Sequence, residues 1–316
     1  MRTSTRLIMV GMLVAALTLV FVFAGSGMDF DYVIPKRLLR LATIVIGGIC
    51  VALSSVVFQT LVGNRILTPA IMGYEAVYLL WQALLLLWMG AQGLVLLGVT
   101  GNFVVSIVLM MAYSWALHRW LLRSGRSDVY VVLLLGLVLT MVIGTFTQFV
   151  QLRISPGEFS VFQGMSYASF NRARPDTLLY AALAVAVVCV MGRKAFPVLD
   201  VLALGRDQAI SLGVNHPSYV RRYLALNTII VAISTSLIGP TAFMGIFVAN
   251  IAYALAPSAR HRVTLPLACA IAVAIFLVAQ LLVEHVFNYK TTVTILVNLV
   301  CGAYFLALTV RARGTT

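Results

Sequence analysis

The chain has 316 residues, of which 62% are hydrophobic and only 10% charged, and its formal net charge is +13. A soluble domain is about half apolar and about a quarter charged, so this composition excludes a water-soluble fold and describes a polytopic membrane protein. The basic excess does not mark a nucleic-acid binder. Its Lys and Arg residues sit in turns between apolar runs, where membrane topology accounts for them. Cys50, Cys189, Cys269 and Cys301 fall inside apolar runs with no paired or metal-like spacing, and read as small buried hydrophobes.

Arg2 and Arg6 precede an apolar run from Leu7 to Ala24. A basic start before such a run also fits a secretory signal, but the run is long enough to span and more spans follow, so it is read as a retained first helix. A second helix is expected from Leu41 to Val62, a turn at Gly63, Asn64 and Pro69, and a third helix from Ile71 to Gly90. Helix four covers Leu94 to Leu117 and ends in the basic strip His118, Arg119, Arg123 and Arg126. Helix five covers Val129 to Gln151. The polar stretch Arg153 to Pro175 holds enough Phe, Met and Tyr for a short embedded helix, and helix six follows from Asp176 to Met191. Helix seven begins after Arg221-Arg222 and ends near Gly239-Pro240. Ala242–Ala256, Val263–Val283 and Thr292–Val310 complete the series.

About ten spans with both termini in the cytoplasm place most Lys and Arg on the inner face. No independent soluble domain interrupts the apolar runs, so residues 1–316 form one transmembrane domain. The same topology makes residues 193–221 a cytoplasmic loop. Its centre, Leu202 to Val214 (LALGRDQAISLGV), is the one long polar, helix-prone segment between two apolar blocks.

The chain contains no G-x-x-x-x-G-K-[ST] phosphate loop, no H-E-x-x-H and no G-x-S-x-G. It reads as a non-catalytic chain without cofactor or metal. Charges are nearly absent from helix centres, with Glu75 near the start of helix three the main exception, whereas an ion-coupled carrier usually needs more buried ionisable groups. Energy for transport is therefore expected from another chain.

The segment L-A-L-G-x-x-x-A-x-x-L-G-V resembles the cytoplasmic coupling loop of the FecCD family, permeases of ABC importers for iron–siderophore complexes, haem and cobalamin. Here Gly205 permits a turn into the second of two short helices and Gly213 caps it. Leu204, Ala209 and Leu212 are expected to pack into an ATPase groove with Arg206, Asp207 and Gln208 along its rim, and Leu202 belongs to the same coupling set. Arg37-Leu38-Leu39-Arg40 resembles the family's R-x-P-R, which implies that Arg37 and Arg40 dock acidic residues of a binding protein. Gln59, Asn64, Pro69 and Gly73 match the family's turn between helices two and three, with Arg65 where the family has proline. Gly239-Pro240, Phe243 and Gly245 match a further motif, with Ala249-Asn250 replacing its Pro-His. Arg260-His261-Arg262 with Leu265-Pro266 resembles H-R-x-x-L-P, and His261 reads as a surface group. Before helix ten the chain departs, with F-N-Y-K-T-T-V-T-I in place of E-L-P-x-G and Glu284 where some members carry an outward arginine.

Thr140, Gly144, Thr147, Gln148 and Gln151 recur at helical spacing on helix five and are candidate pore-lining residues. The alternative is that they glue helices together in lipid. The resemblance implies an all-α type II importer permease of the bacterial inner membrane that translocates ferric siderophore. It would work with a second permease subunit, a heterodimer being favoured by the C-terminal departures, two ATP-binding subunits and a periplasmic or lipid-anchored substrate-binding protein. Haem or cobalamin as cargo, and an ion-coupled secondary transporter, are the alternative readings.

Overall fold

Twelve α-helices and no strand make up the described residues 3–25, 29–123, 129–192, 196–241 and 243–313 of the computed structural model. Arg2, Arg126, Arg193 and Lys194, which entered the charge reading, lie outside the described residues.

Helix α1 spans Thr3–Phe23 and α2 spans Val33–Val62. Gly63 ends α2 with φ 69°, returning its amide to the Gln59 carbonyl at 2.9 Å. A single 3-10 turn, Pro69–Met72, leads into α3, Tyr74–Arg123. Gly90 (φ 61°) and Gly98 (φ 65°) break α3 into two arms, which are the expected helices three and four. The Asn102 side chain ties the arms together, accepting from the Trp81 indole at 2.8 Å and donating to Gln82 at 3.1 Å. Such amide bonds replace the contacts with water that lipid cannot offer.

Helices α4 (Val129–Gln151), α5 (Pro156–Met165) and α6 (Pro175–Gly192) follow. Ser155 caps α5 by accepting from the Glu158 amide, while its own hydroxyl donates to the Glu158 carboxylate at 2.8 Å. This is the short embedded helix expected between helices five and six. The polar loop contains α7 (Phe196–Leu202) and α8 (Arg206–Ser211). Helices α9 (His216–Ile238), α10 (Met244–Leu255) and α11 (His261–Leu281) complete the core, a π-turn at Leu282–Val286 extends α11, and α12 spans Val293–Arg313.

Among the described residues, six helices are long and apolar enough to cross a membrane, α3 among them with both its arms. Of the other expected crossings, α10 and α12 contribute shorter apolar stretches, and α9 falls outside both groups. Its composition has a reason: most of α9, including Asn227, Thr228, Ser234 and Thr235, is buried within the protein, so lipid does not select its side chains.

Helix α2 runs through the centre, flanked by α9 and α11. In α2 and α11, 61% of the spanning stretch is buried within the chain, against 11% in α1, which is peripheral. Close approach depends on small residues. A Cβ on Gly48 would lie 3.0 Å from a Val273 methyl and 3.2 Å from its backbone nitrogen.

Side-chain contacts sort the ends. The end of α1, the start of α2 and the π-turn meet through Arg37. At the opposite end Arg6 donates to the Leu255 carbonyl closing α10, and α7 meets the start of α11.

Candidate coupling, docking and pathway sites

The α7–α8 loop owes its shape to two glycines. Gly205 holds φ 103° and ψ 165°, a region essentially reserved for glycine. Its amide donates to the Leu202 carbonyl at 3.1 Å, and its carbonyl accepts from Ala209 at 3.0 Å, so the chain leaves α7 and enters α8 in one residue. Gly213 closes α8 with φ 80°. Val214 N–H donates to the Ala209 carbonyl and Gly213 N–H to that of Ile210, the paired bonds of a Schellman turn.

Between these glycines the expected contact residues divide. Leu204 and Leu212 are 54% and 62% exposed, and Arg206, Asp207 and Gln208 are exposed with them. Leu202 and Ala209 are buried, at 4% and 0%, among Leu199, Val220 and Tyr223. The expectation that Ala209 faces outward beside Leu204 and Leu212 is thus corrected. A short helix needs an apolar side against its own protein as well as one to offer a partner, and Leu202 and Ala209 supply the first. Next to α8, His216 opens α9; partial burial and then the Arg206 charge push its imidazole below the ordinary value.

One carboxylate missed in the sequence anchors this loop. Asp200, on α7, accepts from the His261 backbone amide at 2.8 Å and from ring Nδ1 at 2.6 Å. His261 Nε2 lies 2.9 Å from the Thr60 hydroxyl near the end of α2, and that hydroxyl donates to the Val56 carbonyl at 2.8 Å. His261 is 3% exposed, so its reading as a surface group is corrected. An isolated Asp in F-P-V-L-D-V-L was the available signal: a lone carboxylate on an apolar helix has to find a partner. A cavity of about 490 Å³ adjoins the contact, lined by Thr60, Arg65, Asp200, Arg260 and His261 among others.

At the other end, Arg37 is 6% exposed and turned inward. Its guanidinium donates to the carbonyls of Phe21 at 2.8 Å, Val22 at 3.4 Å and Ala24 at 2.5 Å, and pairs with Glu284 at 2.8 Å. The last turn of α1 leaves carbonyls without helical partners, and a cation there also favours the negative end of the helix dipole. Docking of an outside carboxylate by Arg37 is therefore corrected, because its donors are already engaged. Arg40 is partly exposed, 3.9 Å from Glu284 Oε2 and 3.4 Å from the Tyr289 hydroxyl. Asn288 (φ 45°) and Tyr289 (φ 59°) reverse the chain after the π-turn. The segment that departs from the family pattern thus supplies both neighbours of Arg40.

The helix-five stripe lies on α4, and its residues range from buried Thr147 to exposed Gln148. Thr140 donates to Gly136 at 2.7 Å and to Ile71 at 3.2 Å. Thr147 is 4% exposed and donates to Ile143 at 2.8 Å. Gly144 and Gln151 are half-buried, and only Gln148 lies on the exposed side, among Met141, Phe149 and Leu152. Near the start of the stripe α4 docks on the 69–72 turn, where a Cβ on Gly136 would lie 3.0 Å from Met72 Cα, whereas a Cβ on Gly144 would meet nothing within 4 Å. Glu75 accepts from the Thr241 amide at 3.0 Å, at the turn before α10.

Comparison with known proteins places this architecture. The FecCD transport family model matches residues 6–311. The petrobactin import system permease protein YclO of Bacillus subtilis (strain 168) is 32% identical over 95% of both chains. FatC, a petrobactin import system permease of Bacillus anthracis, is 32% identical over 90% of this chain and 80% of its own. The hemin transport system permease HmuU of Yersinia pestis is 27% identical over 88% of this chain and 82% of its own. In fold, the chain superposes on an inward-facing metal-chelate type ABC transporter with a TM-score of 0.85 at 17% identity, covering 98% of this chain and 99% of that one. The family match over nearly the whole length, together with the helical architecture, leads to one conclusion: this multi-pass membrane protein belongs to the FecCD transport family.

Proposed function

We propose that the chain is the permease subunit of a binding-protein-dependent ABC importer in the bacterial inner membrane, carrying a ferric siderophore of the petrobactin class. The α7–α8 loop carries this reading: two glycine-shaped turns present Leu204, Arg206, Asp207 and Leu212 outward from a buried base of Leu202 and Ala209. That arrangement suits insertion into a groove of a separate ATPase, since this sequence has no phosphate loop of its own. The 32% identity to two petrobactin permeases supports the cargo.

A second, unlike permease completes the pathway. The named petrobactin systems support this, because the chain is 32% identical to YclO and FatC but only 22% and 24% identical to YclN and FatD of the same organisms. Two ATP-binding subunits and a binding protein complete the assembly, with the binding protein docking near Arg40 rather than Arg37. Substrate is translocated without any bond in it being made or broken by this chain.

Co-expression with the cognate ATPase, second permease and binding protein tests the assembly. The wild-type chain should purify with its ATPase, and Leu204→Asp with Leu212→Asp should release the ATPase while leaving the permease pair intact. Retention of the ATPase by the double variant would refute the assigned contact surface.

A further inference from the structure

Asp200, His261 and Thr60 are connected in a line across three elements that touch different parts of the molecule. Asp200 belongs to α7, whose neighbours Leu199 and Leu202 are buried at 3% and 4%. His261 is the first residue of α11, and Thr60 lies in the last turn of α2. In both helices 61% of the spanning stretch is buried within the chain, and they approach each other at Gly48 and Val273. A displacement of α7 that reached both would reach the centre of the molecule.

The contacts suit that task. One carboxylate oxygen of Asp200 receives two donors from the same residue, the backbone amide and ring Nδ1 of His261, which sets both distance and angle. On the far side of the ring, Nε2 lies within hydrogen-bond distance of the Thr60 hydroxyl, which also reaches the Val56 carbonyl. Both ring nitrogens are thus engaged, and the imidazole acts as a rigid spacer between α7 and α2. Apolar contacts alone permit sliding; directional bonds at both edges of a planar ring resist it. The neighbouring cavity of about 490 Å³ leaves α7 without dense packing on that side.

We propose that Asp200–His261–Thr60 is a hydrogen-bonded strut that transmits coupling-loop displacement to α11 and α2, making these three positioning residues for transport. The inference rests on the ATPase-driven reading above. The simpler role to be distinguished is structural: Asp200 caps the start of α11, where Arg260 makes no side-chain cap.

The test uses the complete importer in proteoliposomes, comparing Asp200→Asn, Thr60→Val and Thr60→Ser with wild type. It reads ATP hydrolysed per ferric siderophore imported, subunit recovery and the melting midpoint. A strut predicts that Asp200→Asn and Thr60→Val raise ATP consumed per import by about fivefold or more, the lower end of ordinary coupling between sites. Assembly and melting should stay near wild type, Thr60→Ser should restore coupling, and the Asp200→Asn/Thr60→Val double should be no worse than the worse single. The strut is overturned by an unchanged ratio in Asp200→Asn, or by a fall in melting midpoint with parallel loss of hydrolysis and uptake. Failure of the underlying reading looks different: the wild type itself would show no ATP-dependent import.

Discussion

Replacing Gly205 with alanine tests the α7–α8 loop at a residue held in a glycine conformation. An added Cβ meets nothing within 4 Å, so no clash enters the outcome and the whole penalty is conformational. With φ 103° and ψ 165° the site lies in a region costing a non-glycine residue about 1–3 kcal/mol. Relief requires the backbone to rotate, which moves the Gly205 carbonyl off Ala209 and shifts the start of α8. An energy of that size changes the population of a displaced loop by about 5- to 150-fold. Amide exchange should therefore accelerate across 203–214 while the cores of α2 and α11 keep their protection. In the reconstituted importer, hydrolysis should continue with less uptake per ATP. Exchange and uptake per ATP both at wild-type levels would refute the assignment of Gly205 as the shaping residue.

Three further outcomes follow from particular contacts. Glu284→Gln leaves the buried Arg37 charge without its carboxylate and should destabilise the α1–α2–α11 junction by about 3–5 kcal/mol. The exchange Arg37→Glu with Glu284→Arg should not restore the melting midpoint, since glutamate cannot donate to the Phe21 and Ala24 carbonyls. Gly48→Val forces methyl groups against Val273 and should lower stability by about 1–3 kcal/mol, read as a lower melting midpoint in detergent. His216 should titrate below 6.5 by NMR. Because its folded value is the lower one, the α8–α9 junction should lose stability as pH falls through it. Arg206→Ala should raise that value only partway, burial being the larger cause.

Much of the helical order was legible because lipid imposes long apolar runs and confines charge to their ends. The glycines of the α7–α8 loop were legible for a local reason: Gly205 and Gly213 sit where a two-turn motif needs residues without a Cβ. Helical spacing also grouped Thr140, Gly144, Thr147, Gln148 and Gln151 on α4. Periodicity says which residues share a face but not what each one meets, and here Thr140 meets the chain's own 69–72 turn. Long-range polar pairs were the least legible. Arg37 finds Glu284 across 247 positions and Asp200 finds His261 across 61, and neither separation leaves a local pattern. Arg37 shows the consequence: it caps the end of α1 and pairs with a glutamate far along the chain, where local sequence suggested an outward contact.

The central claim, that this permease is driven by a separate ATPase, is tested most directly by uptake of ferric petrobactin into proteoliposomes holding the full complex. ATP on the ATPase side should drive accumulation that persists when ionophores abolish every ion gradient and stops when hydrolysis is blocked. Uptake that survives ATP removal and collapses with an ion gradient would contradict the account and identify an ion-coupled carrier instead.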